Sequence, residues 1–254
     1  MRGIYIEWLK SKRTKSFSIV TILIIVATLW NIVTFNSAFS SHPELKGVEI
    51  LFSNQNVNLL MLPIAVCVFA ARIVWNEREG QTFKLQFSNG HNLLTIFANK
   101  FLFMVIIFSF MSILEVIAIC IFGQQVGIRI PFSVILFQLF AQFLSVYSLI
   151  CIYLFLAIVV EKQGLLLALG LLGGFLGIVL TPRSYGFSSL INPITGFGSL
   201  APYKYQSLGG GEFAYIFDSQ LFWKLIIYSV DCLLLYAIAN LVLRKRGNKD
   251  GKLF

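Results

Sequence analysis

Residues 130–160 read IPFSVILFQLFAQFLSVYSLICIYLFLAIVV, 31 positions without an Asp, Glu, Lys or Arg. A helix needs about 20 apolar residues to cross a bilayer core, so this stretch alone places the chain in a membrane. Working outward, five further gaps in the charge pattern are long enough to cross. They run from Ser16 to Pro43, Ile50 to Ala71, Phe101 to Ile128 (interrupted once, by Glu115), Gln163 to Pro182, and Leu225 to Leu243 (interrupted once, by Asp231). The spacing predicts an all-α polytopic membrane protein with six transmembrane helices near 17–37, 55–75, 101–122, 132–160, 164–181 and 221–243. All belong to one transmembrane domain over residues 1–254. Ser184 to Tyr203 is also free of charge, but it carries Pro193, Pro202, Gly186, Gly196 and Gly198. Lipid cannot satisfy that much broken backbone, so 182–219 reads as an ordered extracytoplasmic segment that dips partly into the membrane against the other helices.

Composition agrees. Of 254 residues, 57% are hydrophobic and 12% charged, with a mean hydropathy of +0.82. Soluble domains carry about 25% charge. A soluble enzyme, a disordered chain and a disulfide-stapled secreted domain are all excluded. The net charge of +9 has a topological cause. With the N-terminus inside, only Lys46, Arg129, Arg183, Lys204 and Lys224 of the 20 basic residues fall outside. That asymmetry puts both termini in the cytoplasm of a multi-pass cell-membrane protein. The tail from Arg244 to Lys252 is then an anchor touching anionic lipid, and no nucleic-acid partner is needed. The first span follows a basic stretch, and Ala38-Phe39-Ser40 loosely suits a signal cleavage site. Its apolar run exceeds the usual 7–15 residues, so it is expected to be retained.

Few residues promise chemistry. Cys67, Cys120, Cys151 and Cys232 lie singly in apolar runs, and His42 and His91 are far apart, so neither a metal site nor a catalytic residue is expected. Glu115 and Asp231 lie inside spans, where a carboxylate is costly; each either lines a polar translocation path or bonds a neighbouring helix. Gln138, Gln142 and Ser145 share one stripe and admit the same two readings, with packing favoured. Gly170, Gly173, Gly174 and Gly177 form overlapping Gly-x-x-x-Gly pairs, a close-packing signal within the chain or at a dimer seam.

Two segments outside the spans stand out. Residues 1–15 fold on paper into an amphipathic interfacial helix, with Met1, Ile4, Tyr5 and Trp8 on one face and Glu7, Lys10 and Arg13 on another. Tyr5 and Trp8 would anchor it at headgroup level. The inner loop 76–100 opens with charge, breaks at Gly80, runs through an apolar-rich piece from Thr82 to Phe87, and turns at Ser88-Asn89-Gly90. It is long for a plain connection. Phe83, Leu85 and Phe87 in a solvated loop ask for a partner surface.

This loop resembles the cytoplasmic loop of ABC-2-type exporter permeases. Their pattern runs through an acidic stretch, Gly-Thr, a spaced Leu, a turn, and an apolar stretch ending in Lys. Glu77, Glu79, Gly80, Thr82, Leu85 and Lys100 fill those roles here. Gln81 intervenes between Gly80 and Thr82, and Ser88-Asn89-Gly90-His91 stands where a Pro and an Arg would be. The stretch from Asn56 to Pro63 is similar to the subgroup that protects bacteria from lantibiotics and related peptides. The resemblance implies a permease half whose loop, from Glu77 to Phe87, docks as a coupling element on a separate cytoplasmic ABC ATPase present in two copies. ATP and Mg would bind that ATPase, since no G-x-x-x-x-G-K-[ST] occurs in this chain. It also implies a second permease copy or a related subunit, surrounding lipid, and export of an amphiphilic substrate such as an antimicrobial peptide.

Competing readings are narrower. Another hydrophobic peptide, a lipid or a drug could use the same machinery, and a non-transporting scaffold or sensor would share the topology. An intramembrane protease needs a Ser/His pair, two aspartates or a metal cluster in the spans, and the spans hold one aspartate and no histidine. The halves show no clear internal repeat of the kind secondary transporters carry.

Overall fold

The computed structural model describes residues 2–13, 15–43, 46–53, 56–88, 90, 92–180, 192–209 and 212–250. The chain is an all-α polytopic membrane protein in which six long apolar helices carry the length and composition of membrane spans. These are α2 (Ser16–Ser41), α4 (Asn56–Glu79), α6 (Leu93–Gln125), α7 (Phe132–Val159), α8 (Gln163–Leu180) and α10 (Leu221–Asp250). Shorter elements join them: α1 (Arg2–Arg13), α3 (Val48–Ser53), α5 (Thr82–Ser88), α9 (Gly196–Ser199), and strands β1 (Tyr203–Gly209) and β2 (Glu212–Phe217).

Local chemistry sets the boundaries. Asn92 caps α6, its side-chain oxygen accepting from the Thr95 backbone N–H at 2.7 Å. Pro131 precedes α7, where its missing N–H leaves no helical bond unmade. The helix α4 stops because Gln81 takes a left-handed backbone, φ 52°, and α5 starts immediately after it.

The centre of the bundle is built by α4, α6 and α7, which supply Val66, Phe69, Phe97, Met104, Phe108, Ile150 and Leu154, all fully buried. The helices α2, α8 and α10 flank them and show broad apolar faces outward, such as Ile22, Leu29 and Val33 on α2 and Leu172, Phe175 and Val179 on α8. In a bilayer such faces meet lipid without penalty.

The glycine stripe on α8 lies against α4 of the same chain. A Cβ on Gly170 would stand 2.5 Å from the Cys67 Cβ, and one on Gly174 would stand 2.5 Å from the Leu60 carbonyl oxygen. On Gly173 it would strike the Tyr153 hydroxyl, and on Gly177 it would press the Leu59 carbonyl oxygen at 2.9 Å. Pro63, inside α4, lacks the N–H that Leu59's carbonyl would otherwise receive, and Gly174 and Gly177 of α8 face the Leu60 and Leu59 carbonyls of this turn.

One end of the bundle, here the basal end, gathers α1, α5, the start of α6 and the end of α7. The opposite end carries α3, α9 and a β-hairpin. The hairpin pairs Tyr203 with Phe217 and Tyr205 with Tyr215, and packs on α3. The strands follow the proline- and glycine-bearing stretch, which among its described residues, 192–202, has turns and the short α9. Within this stretch, Thr195, Gly196, Phe197, Ser199 and Leu200 are enclosed, with α9 set against α4 and α7. Gly196 is needed there, because a Cβ would collide with the Tyr228 hydroxyl. Residues 181–191, including Arg183, Ser184 and Gly186, lie outside the described residues, as do Met1, Asn89, His91 and Lys252.

Candidate coupling site

At the basal end four charges from three helices meet largely out of water. Glu7 of α1 and Glu77 of α4 are buried carboxylates, and Lys100 of α6, 1% exposed, is a buried ammonium. The Lys100 Nζ lies 2.9 Å from Glu7 Oε2 and 3.0 Å from Glu77 Oε1. It also donates to the Ile73 carbonyl at 3.4 Å. Lys10, half-buried, lies 2.6 Å from Glu77 Oε1 and 3.3 Å from Glu7 Oε1. Among the described residues, two anions and two cations balance in this cluster. Such a group survives burial only when each charge is matched, since an isolated ion would cost several kcal/mol.

The helix α5 is tied to the same cluster. The Gln86 side chain donates to Glu77 Oε1 at 3.1 Å, and the Thr82 hydroxyl donates to the Glu77 carbonyl at 3.2 Å. Arg78, next in sequence, reaches the other way. Its guanidinium donates to the Ile158 carbonyl at 2.6 Å and also bonds the Val160 carbonyl, while Arg246 donates to Val159 at 3.4 Å. Those are the carbonyls a helix end leaves without donors. The end of α4 is therefore bonded to α1, α5, α6 and the exit of α7 together. Burial works against the Lys10 charge, but the hydrogen bond to Glu77 and the charges of Glu7 and Glu77 outweigh it and hold its pKa above the ordinary value.

The loop residues singled out by the sequence pattern are spread unevenly along this joint. Glu77 is inside it and Glu79 is exposed beside it. Gly80 and Gln81 form the turn into α5. Phe83 is half-buried against the central core, whereas Leu85 is 62% exposed. The alternating spacing of Phe83, Leu85 and Phe87 suggests one shared surface; because the segment is a helix, residues 83 and 87 fall on one side and Leu85 on the other. The side chains of Tyr5 and Phe87 lie outside the described residues. Trp8 is exposed, with its ring 5.7 Å from Phe17. The face of α1 bearing Glu7 and Ser11 turns into the protein, and Ile6, Trp8 and Leu9 turn outward. Glu7 and Lys10 are legible in the sequence only as a polar face. Their partners are remote: Glu77 is 67 residues from Lys10, and Lys100 is 93 from Glu7.

The intramembrane polar residues occupy separate places. Glu115 is buried and accepts from the Asn58 amide, which in turn accepts from Asn31 at 2.9 Å. This chain of groups joins α6, α4 and α2. Gln138 and Gln142 are buried on α7, and both polar side-chain atoms of Gln142 lack a hydrogen-bond partner among the described residues. Asp231 is half-buried on α10, with Oδ2 enclosed and unbonded among the described residues. Lys224 points away from it and pairs with Asp218 at 2.6 Å. Tyr228, between the two in sequence, is enclosed and shares a 2.7 Å hydrogen bond with Ser148. Among the described residues no group of three or more His, Cys, Asp or Glu side chains is placed to hold a metal ion.

Six long apolar helices, a basal ionic joint and a short helix between the second and third spans define a multi-pass membrane protein. The profile of the ABC-2 family transporter proteins matches residues 3–180, from α1 through α8, and the chain belongs to that family. The match ends before the hairpin and α10, which the resemblance in topology includes. Neither the curated proteins nor the solved structures give a match.

Proposed function

We propose that the chain is the permease half of an ATP-driven exporter, with α5 as the element that docks on a cytoplasmic ABC ATPase. The observation that carries this reading is the ionic joint. Through Glu77, Gln86 and Thr82, a push on α5 loads α4 directly, and through Lys100 and Glu7 it loads α6 and α1 as well. A soft loop would dissipate such a push. On this reading Glu77 transmits force from inside, Phe83 seats α5 on the core, and Glu79 and Leu85 meet the ATPase.

The basal end then faces the cytoplasm of the cell membrane, which agrees with the bias of Lys and Arg toward it. ATP and Mg bind the ATPase, in two copies, and a second permease copy or a related subunit completes the transporter. The cargo is amphiphilic, an antimicrobial peptide such as a lantibiotic, moved out of or off the membrane; this would make the protein an immunity or bacteriocin-resistance component. Glu115, Gln138, Gln142 and Asp231 are the polar groups available to a translocation path, and Gln142 and Asp231, with bonding capacity unused among the described residues, are the stronger candidates.

The test is reconstitution with the recovered ATPase. Glu79→Arg and Gly80→Pro should abolish substrate-stimulated ATP hydrolysis and export while membrane levels stay normal. Unchanged stimulation and export in both variants would refute docking at α5.

A further inference from the structure

Glu77 is saturated on one side only. Lys10, Lys100 and Gln86 all approach Oε1, at 2.6, 3.0 and 3.1 Å. Oε2 is equally enclosed and has no hydrogen-bond partner among the described residues, although the side chain is 3% exposed. A buried carboxylate oxygen without a donor is costly, and native proteins rarely keep one unused. Glu77 also lines a cavity of ≈ 170 Å³ between α1, α4 and α5, together with Glu7, Lys10, Ser11, Ile73, Asn76 and Thr82. That volume holds a side-chain head group with water to spare.

We infer that this cavity receives a cationic side chain, an arginine or lysine of the ATPase, which pairs with Glu77 Oε2 when α5 docks. The inference rests on the docking reading above and gives it one specific contact. A guanidinium or ammonium supplies the charge-assisted donor that the oxygen lacks. Lys10, 37% exposed at the rim, has room to yield as the newcomer enters, which keeps the cluster near neutrality. The contact would also make docking a register check, since the cation reaches Glu77 only when α5 is seated fully.

The experiment measures the affinity of the nanodisc-embedded permease for the ATPase recovered with it, at low and high salt. Glu77→Gln keeps an acceptor for Lys100 and removes the charge that draws the cation; its affinity should fall roughly thirtyfold or more, and its salt dependence should flatten. Lys10→Met removes the competing ammonium and should tighten binding several-fold. Both variants break the same Lys10–Glu77 pair, so a purely structural role predicts weakening in both. Weakening in both, or unchanged affinity in Glu77→Gln, overturns the inference and leaves water as the occupant. If Glu77→Gln does not reach the membrane, the sign of the Lys10→Met effect decides alone. Leu85→Arg separates the two levels. Loss of binding there with full binding in Glu77→Gln sinks only the cation contact. A wild-type protein that binds no ATPase sinks the docking reading itself.

Discussion

The basal joint and the Asn31–Asn58–Glu115 chain are both buried polar clusters that tie three helices, yet they are built from opposite materials. The joint uses full charges in matched pairs, and it sits where the spans end. The inner chain uses two amides and one acid, roughly 15 Å of helical rise from the Gln125 end of α6. Depth explains the choice. Near the interface a charge can be matched by lysine and glutamate from neighbouring elements, and the joint gains rigidity. Deep in hydrocarbon a matched ion pair costs more, and amide-mediated bonds hold helices for about 1 kcal/mol each. The joint is therefore brittle and directional, suited to carrying force. The inner chain is a mild clasp that holds α2, the least enclosed span, to its neighbours.

The contrast breaks most readily at Lys100. Lys100→Met would leave Glu7 and Glu77 enclosed with only Lys10 between them, at a cost of about 3–5 kcal/mol. Poor recovery of folded protein in detergent is the expected result; normal recovery and thermal stability would show that the joint is not a matched buried cluster. Next in size is Glu115. Glu115→Gln keeps an acceptor for Asn58 and should leave thermal stability nearly unchanged, whereas Glu115→Leu strands that amide and should cost about 1–3 kcal/mol. Equal losses in the two would mean that the charge itself matters and that the inner chain resembles the joint after all. Asn31→Leu should be smaller still, about 1 kcal/mol, because only one bond to α2 is lost.

The smallest effect lies at the hairpin end. Asp218 accepts from Lys204 at 2.7 Å and Lys224 at 2.6 Å and joins the hairpin to α10. Burial would raise its pKa, but the hydrogen bonds and charges of the two lysines outweigh this and hold it below the ordinary 3.8. Its stabilising contribution is thus present above about pH 4 and is lost as the pH falls through the lowered folded value. Melting curves of wild type and Asp218→Asn should differ modestly at neutral pH and converge under strong acid. A difference that persists below the folded pKa would show that the carboxylate charge is not what joins the elements.

The fold is largely legible in the residues because lipid imposes a simple rule: charge-free stretches of sufficient length must be helices. Glu115 and Asp231 can be located by depth for the same reason. What they touch cannot, since Asn31 and Asn58 read as ordinary polar residues until α2 and α4 are set side by side. The glycines on α8 announce close packing but not the partner, and only the arrangement of α4 around Pro63 supplies it. The joint is half visible: Glu77 and Lys100 stand in a recognisable loop pattern, while Glu7 is hidden in what looks like a solvated face. The hairpin escapes the sequence pattern because the prolines and glycines from Gly186 to Pro202 argue for irregular backbone throughout 182–219. The strands start only at Tyr203, however, and carry the Tyr and Phe that suit a strand.

Whether α5 docks on an ATPase can be settled by crosslinking a cysteine at Leu85 in intact membranes. Leu85 is an exposed apolar residue of α5, so Leu85→Cys should disturb the joint little. Docking at α5 requires an ATPase-specific crosslink whose yield changes with ATP, together with protection of the thiol from membrane-impermeant reagents added outside the cell. Labelling of that thiol from outside, or no crosslink in an assembled and active complex, would show that α5 is not the docking element.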